Sequence, residues 1–302
     1  MKRRLRITVL TAVLAAIAIT APAHAGAAAG GTVDITVTPS GFTAPETVRA
    51  GTLTLTVRSQ DPQGAWVGLV RLRPGVRLER YLRHLKQAMD DDPRTSVAGG
   101  RAVSEDVVML GGAAAGHVPA TVTTVVTPGE YHLVDFRDVQ EPDFAGRVRP
   151  LRVTGPAGSP RSSSPSPSPQ PSSLPQPSPA PAVITATDSG FVTPRRLTSG
   201  SPVLVVNRSS QFNEAMLMPV RPGTTTADLD AFFSGTGGYP FTAGPTGVVP
   251  MSPSRAALLT AALPPGEYAL VTWVRNLRTG RMLAQEGMRE LVDITPADGS
   301  TP

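Results

Sequence analysis

The chain has 302 residues, 40% of them hydrophobic and 5% aromatic, with no cysteine and a formal charge of +5. That length suits two domains better than one, and the lack of cysteine excludes disulfides, thiolate metal ligands and every cysteine-based active site. The charge makes no case for nucleic acid. Lys2, Arg3, Arg4 and Arg6 fall in an N-terminal export segment, and without them 24 basic residues face 23 acidic ones.

Residues 1–25 read as a signal peptide. MKRRLR is the basic region, Ile7–Ala18 the apolar run, and Ala23-His24-Ala25 a small-x-small cleavage site that leaves Gly26 as the new N-terminus. The alternative is a membrane anchor, but the apolar run is short and is followed by Pro22. No other stretch is apolar enough over a bilayer's thickness, so no membrane span is expected after cleavage. The expected location is secreted or periplasmic, on the exterior of the cell envelope.

Residues 31–155 form the first expected domain. Val33–Thr38 and Thr52–Arg58 alternate apolar and polar residues and read as strands, with Ala65–Leu72 a third. Leu78, Tyr81, Leu82, Leu85 and Met89 recur at three- and four-residue spacing, which predicts a helix covering one end or face of a sandwich. Val118–Val126, Glu130–Phe136 and Arg147–Val153 are later strands. Residues 156–182 are dominated by Pro and Ser, too polar to offset the entropy of ordering, and read as a disordered tether.

The second expected domain is 183–294, with a flexible tail at 295–302. Val183–Thr187, Pro202–Asn207, Glu214–Val220 and Arg255–Ala262 read as strands, and Thr226–Phe233 as a short helix capped by Thr225 or Thr226. Residues 235–247 read as a loop rich in Gly and aromatics. The closing segment, Leu263–Ile294, reads as a hairpin. Its Pro-Gly turn leads into Tyr268, which suggests a tyrosine corner.

The two domains are repeats. TPGEYHLVDF at 127–136 matches LPPGEYALVTW near 263–273, Gly41-Phe42-Thr43-Ala44-Pro45 matches Gly190-Phe191-Val192-Thr193-Pro194, and Arg73-Pro74-Gly75 matches Arg221-Pro222-Gly223. The same reading sets Gly51 against Gly200 and Gly111-Gly112 against Gly237-Gly238. Ordered matches over such a length mark a tandem duplication.

These motifs, with the V-N-R around Asn207 and the Gly287-Met288 at the end, resemble cupredoxin-like domains in both repeats. The resemblance implies an all-β fold with minor helices: two cupredoxin-like Greek-key β-sandwiches joined by the disordered Pro/Ser linker. It also implies where a type 1 copper site would lie, held by two imidazoles, a thiolate and an axial thioether. In the second repeat the first His position falls on Asn213, the Cys position on Thr272, the second His near Leu283, and only Met288 remains. In the first repeat Ala65 stands at the first His and Asp135 at the Cys. The copper function does not follow from the resemblance, and no cofactor is expected.

A second metal reading is Cu(I) held by thioethers, with Met216 and Met218 on one face of a strand and Met251, Met282 and Met288 as further candidates. The competing reading is that these methionines fill core gaps. His84, His117 and His132 show no ligand spacing, and Asp90-Asp91-Asp92 lacks the pattern of a calcium loop. No nucleophile elbow, zinc-protease motif or phosphate loop is present. Trp66, Tyr239 and Phe241 form a possible contact surface, with Tyr239 and Phe241 either displayed at a sandwich tip or plugging it. The expectation is an exported, non-enzymatic binding or scaffolding protein, its partner an extracellular protein or envelope component.

Overall fold

The computed structural model describes residues 31–155 and 180–297; the expected signal peptide, nearly all of the expected tether and the end of the expected tail lie outside the described residues. The first half runs β1 (Gly31–Thr38), β2 (Gly41–Phe42), β3 (Thr47–Arg49), β4 (Gly51–Ser59), β5 (Ala65–Leu72), α1 (Leu78–Ala88) and α2 (Pro93–Asp106). It continues with β6 (Val107–Ala115), β7 (Ala120–Val126), β8 (Gly129–Asp135) and β9 (Val148–Thr154). The second half repeats this plan with β10 (Ala182–Thr187), β11 (Gly190–Val192), β12 (Arg196–Thr198), β13 (Val203–Asn207) and β14 (Asn213–Pro219). It closes with α3 (Thr226–Phe233), β15 (Thr246–Met251), β16 (Ala256–Thr260), β17 (Gly266–Val271) and β18 (Arg289–Thr295).

The predicted strands form because their alternation buries one face. In β4, Leu53, Leu55 and Val57 point into the core while Thr54 and Thr56 meet Thr123 and Thr121 of β7 on the other side. The tyrosine corner is present in both repeats: the Tyr268 hydroxyl donates to the Pro264 carbonyl at 3.0 Å, and that of Tyr131 to the Thr127 carbonyl at 2.9 Å. The predicted cap of α3 is Thr225, in a reciprocal box with Asp228. The amphipathic α1 sets Tyr81 and Leu85 against Val70, Met109 and Val134 on the outer face of the sheet.

The tether does not keep the repeats apart. Two sheets run unbroken through both halves: an eight-stranded sheet in the order β11-β10-β13-β16-β7-β4-β1-β2, and a ten-stranded sheet in the order β12-β18-β17-β14-β15-β6-β5-β8-β9-β3. The join is antiparallel in each, β16 on β7 and β15 on β6. Each strand at the join therefore pairs with its own counterpart, and one apolar core, with residues from Val33 to Ile294, lies between the sheets.

Three elements at or near the join differ from the sequence reading. β6 and most of β15 are strands in stretches that the sequence reading left unassigned, and α2 is a helix that the apolar periodicity did not reveal. The Gly-Gly match also needs correction. Gly112 sits opposite Gly68, and Gly247 sits opposite Met216, the counterpart of Gly68. A Cβ on Gly112 would lie 2.2 Å from the Val67 carbonyl oxygen, and one on Gly247 would lie 2.1 Å from that of Ala215. Gly247, not Gly237 or Gly238, is thus the counterpart of Gly112. At the boundaries, Ala182 is the first residue of β10 and Thr295 the last of β18, so both belong to sheets rather than to tether and tail.

Candidate functional site: a cavity over the join

In the second half, the positions singled out by the copper-site resemblance come together at one end of the sandwich. Asn213 continues the inward face of Ala215 and Leu217, and Thr272 that of Tyr268 and Leu270; both are buried. The Asn213 amide Nδ2 donates to the Met288 thioether Sδ at 3.1 Å, and the Met288 backbone N–H donates to the Leu283 carbonyl. Thr272 Oγ1 accepts from the Val274 N–H at 3.3 Å. The set is an amide, a hydroxyl, an isobutyl group and a thioether already engaged by the amide. It does not fit type 1 copper, which needs imidazole and thiolate.

The first half fills the same region with an ion network. Asp135 is fully buried; its Oδ2 lies 2.9 Å from both Arg137 Nη2 and Arg147 Nη1. Arg137 reaches on to Asp61 at 2.8 Å, and Arg147 to Asp138 at 3.1 Å. Burial works against the Arg137 charge, but its hydrogen bonds to Asp135 and Asp61 outweigh that and raise its pKa. The Arg137 hydrogen bond in turn lowers the pKa of Asp61. Ala65 is buried and contributes only packing. Among the described residues no three His, Asp or Glu side chains form a metal-binding group.

A larger feature lies on the outer face of the ten-stranded sheet, above the join. There a cavity of about 590 Å³ is walled by α1, α2 and β6 of the first half and by β14, β15 and the segment after β17 of the second. Glu214, Met216 and Met218 project into it from alternate positions of β14, the face opposite to Asn213, Ala215 and Leu217. Trp66, Phe136, Phe212, Tyr239 and Trp273 give it aromatic walls, so both tryptophans of the chain line it.

Glu214 is the polar exception. It is 6% exposed, and its Oε1 accepts from the Trp273 N–H at 2.6 Å. Burial without a charged partner pushes its carboxyl up to about 7. The indole N–H of Trp66 is buried without a hydrogen-bond partner. A mostly apolar concavity with a few unspent polar groups is the usual form of a small-molecule site.

The expected contact surface divides. Tyr239 is 58% exposed at the cavity rim and Trp66 is half-buried in its wall. Phe241 is not displayed: at 5% exposure it packs edge-on against Phe232 and Tyr239 and near Phe233 and Trp273, as a plug. The methionines divide as well. Met216, Met218 and Met282 line the cavity together with Met89 and Met109, whereas Met251 and Met288 sit between the sheets and cannot join them.

The other polar candidates have structural partners. His84 and Arg80 both engage the buried Asp106, at 2.6 and 2.9 Å. Asp92 caps α2 by accepting from the Thr95 N–H at 2.8 Å. Desolvation lowers the pKa of the half-buried His132. The cavity itself went unforeseen because its walls come from segments of both repeats that only the join brings together.

No protein-family model matches this sequence, and no curated protein does. Among solved structures, the chain is similar to reduced auracyanin from Roseiflexus castenholzii, with 15% identity over 38% of this chain and 95% of that one, at a TM-score of 0.23. It is also similar to the Cu-containing nitrite reductase of Thermus scotoductus, with 12% identity over 88% of this chain and 67% of that one, TM-score 0.25. A multi-copper oxidase from Pediococcus acidilactici matches at 10% identity over 90% of this chain and 60% of that one, TM-score 0.23. These are likenesses of fold alone.

Proposed function

We propose that this chain is an exported, non-enzymatic binding protein that takes a small, largely apolar ligand into the cavity over the join of its two sandwiches. The observation that carries this reading is the cavity: about 590 Å³, formed by elements of both halves, walled by aromatic and thioether side chains and holding one buried carboxyl. The reading of export rests on the N-terminal segment MKRRLR…AHA. In the cavity wall the Ser96 hydroxyl donates to the Ala88 carbonyl and the Glu214 carboxyl accepts from the Trp273 N–H, each within its own half.

The test uses N-phenyl-1-naphthylamine, a neutral apolar fluorophore. Saturable binding with energy transfer from tryptophan is expected, because both donors line the cavity. Absence of saturable binding, or binding undiminished when Met216→Phe and Met218→Phe narrow the space, would contradict the reading.

A specific observation favours a second reading, Cu(I) binding. Five of the eight methionines of the chain line this one cavity, and thioethers hold Cu(I) without imidazole. Its test is among the predictions below.

A further inference from the structure

We infer that the ligand of this cavity is an organic cation, an amine or quaternary ammonium carried on an apolar body; the inference rests on the cavity-binding reading above. Three observations converge on it. The aromatic walls, Trp66, Phe136, Tyr239 and Trp273, belong to both halves and line one space. Such rings attract a cation through their quadrupole, most strongly where water is excluded.

The second observation is Glu214. Its side chain is buried in the cavity wall, one oxygen takes the Trp273 N–H, and the other has no hydrogen bond among the described residues. No guanidinium or ammonium pairs with it among those residues. A buried carboxyl left without a counter-charge costs stability, and a cationic ligand supplies the missing partner.

The third is the remaining charge in the wall. Besides Glu214, the lining holds Arg275 as its only fully charged group, with the Tyr239 phenol as the other titratable one. Arg275 Nη1 donates to the Gly280 carbonyl at 3.1 Å and makes no ion pair with Glu214. Met216 and Met218 follow Glu214 on the same strand face and fit the polarizable surroundings of an alkylammonium head.

The experiment compares phenyltrimethylammonium with tert-butylbenzene, its neutral isostere, by tryptophan quenching of the full chain at pH 8. Neither probe titrates, so any pH effect belongs to the protein. The cation is expected to bind about tenfold or more tightly. That preference should shrink in Glu214→Gln, a cooperative thermal melt showing that the variant is folded. At pH 5, where Glu214 is protonated, the wild-type preference should shrink likewise. Equal or tighter binding of the neutral isostere would overturn the inference and leave the cavity reading standing. Quenching by neither probe would overturn both.

Discussion

Ala113 and Val248 face each other across the join, and they hold the same place in the two repeats. Ala113 pairs with Val67 on one side and Val248 on the other; Val248 pairs with Ala215, the counterpart of Val67. Val122 and Leu259 repeat the relationship in the other sheet. A pseudo-twofold axis therefore passes through both pairs, and the join is the self-complementary contact of a symmetric dimer made within one chain.

Separated halves should not behave as independent domains. Residues 26–155 and 180–302 expressed apart would each expose the edges of two central strands, and unpaired edges associate. Each half alone should run as a dimer or larger species by sedimentation, and an equimolar mixture should form the one-to-one complex. Two stable monomers that ignore each other would contradict this join.

Gly112→Ala and Gly247→Ala should each destabilise strongly, by roughly 2–3 kcal/mol, because the new Cβ meets a backbone carbonyl of the adjoining strand. Gly238→Ala, whose Cβ meets nothing within 4 Å, should stay within about 0.5 kcal/mol of wild type. Denaturant melts measure both. The contrast separates Gly247 from Gly238 as the true counterpart of Gly112.

Glu214 makes stability depend on pH. Its folded pKa, about 7, lies above the ordinary 4.5 because of burial. Between those values the folded chain holds a proton that the unfolded chain releases, so stability falls as pH rises through the window and levels off above it. At 1.36 kcal/mol per pKa unit the loss is about 3 kcal/mol. Glu214→Gln should remove this part of the pH profile and be the more stable protein at pH 8. Melts from pH 5 to 8 compare the two.

Asp135→Ala should be among the most destabilising substitutions in the first half. It removes the buried carboxylate that Arg137 and Arg147 share, leaving Arg137 with Asp61 alone and Arg147 with the more exposed Asp138. Removing one partner of a buried ion network costs about 3–5 kcal/mol. Thr272→Ala, at the equivalent place in the second half, removes a single hydroxyl contact at 3.3 Å and should cost about 1 kcal/mol.

Cu(I) binding predicts a saturable rise in melting temperature under anaerobic conditions, about 2.7 kcal/mol at a hundred times the dissociation constant. Met216→Leu with Met218→Leu should abolish it, while Met288→Leu, buried between the sheets and bonded to Asn213, should leave it intact. A flat response to Cu(I) leaves the organic ligand as the sole occupant.

Much of the fold was legible where strands bury one face. β1 and β4 alternate, α1 keeps its apolar spacing, and the Pro-Gly-Glu-Tyr phrase names its turn and corner twice. The join was not legible for the opposite reason. β6 and β15 are buried on both faces, so VVMLGGAAA and TGVVPM carry no alternation, and the glycines that let neighbouring backbones approach imitate loops. In α2, Gly99 and Gly100 lower helix propensity, yet Gly99 admits the α1 backbone and Gly100 admits Leu277. The signal there was Asp92-Pro93, a cap followed by proline at the first helical position. Of the site residues, Trp66, Met216, Met218 and Tyr239 were singled out for chemistry or exposure. Glu214 was passed over because nothing local marks a lone Glu in a strand as buried.

The most direct test of the cavity as the binding site is a methyl spectrum of the protein labelled at the methionine methyl groups. On saturation with N-phenyl-1-naphthylamine, the signals of Met89, Met109, Met216, Met218 and Met282 should shift, while those of Met251 and Met288 stay in place. Shifts confined to Met251 and Met288, or no shift while the probe binds, would put the ligand elsewhere and contradict the account.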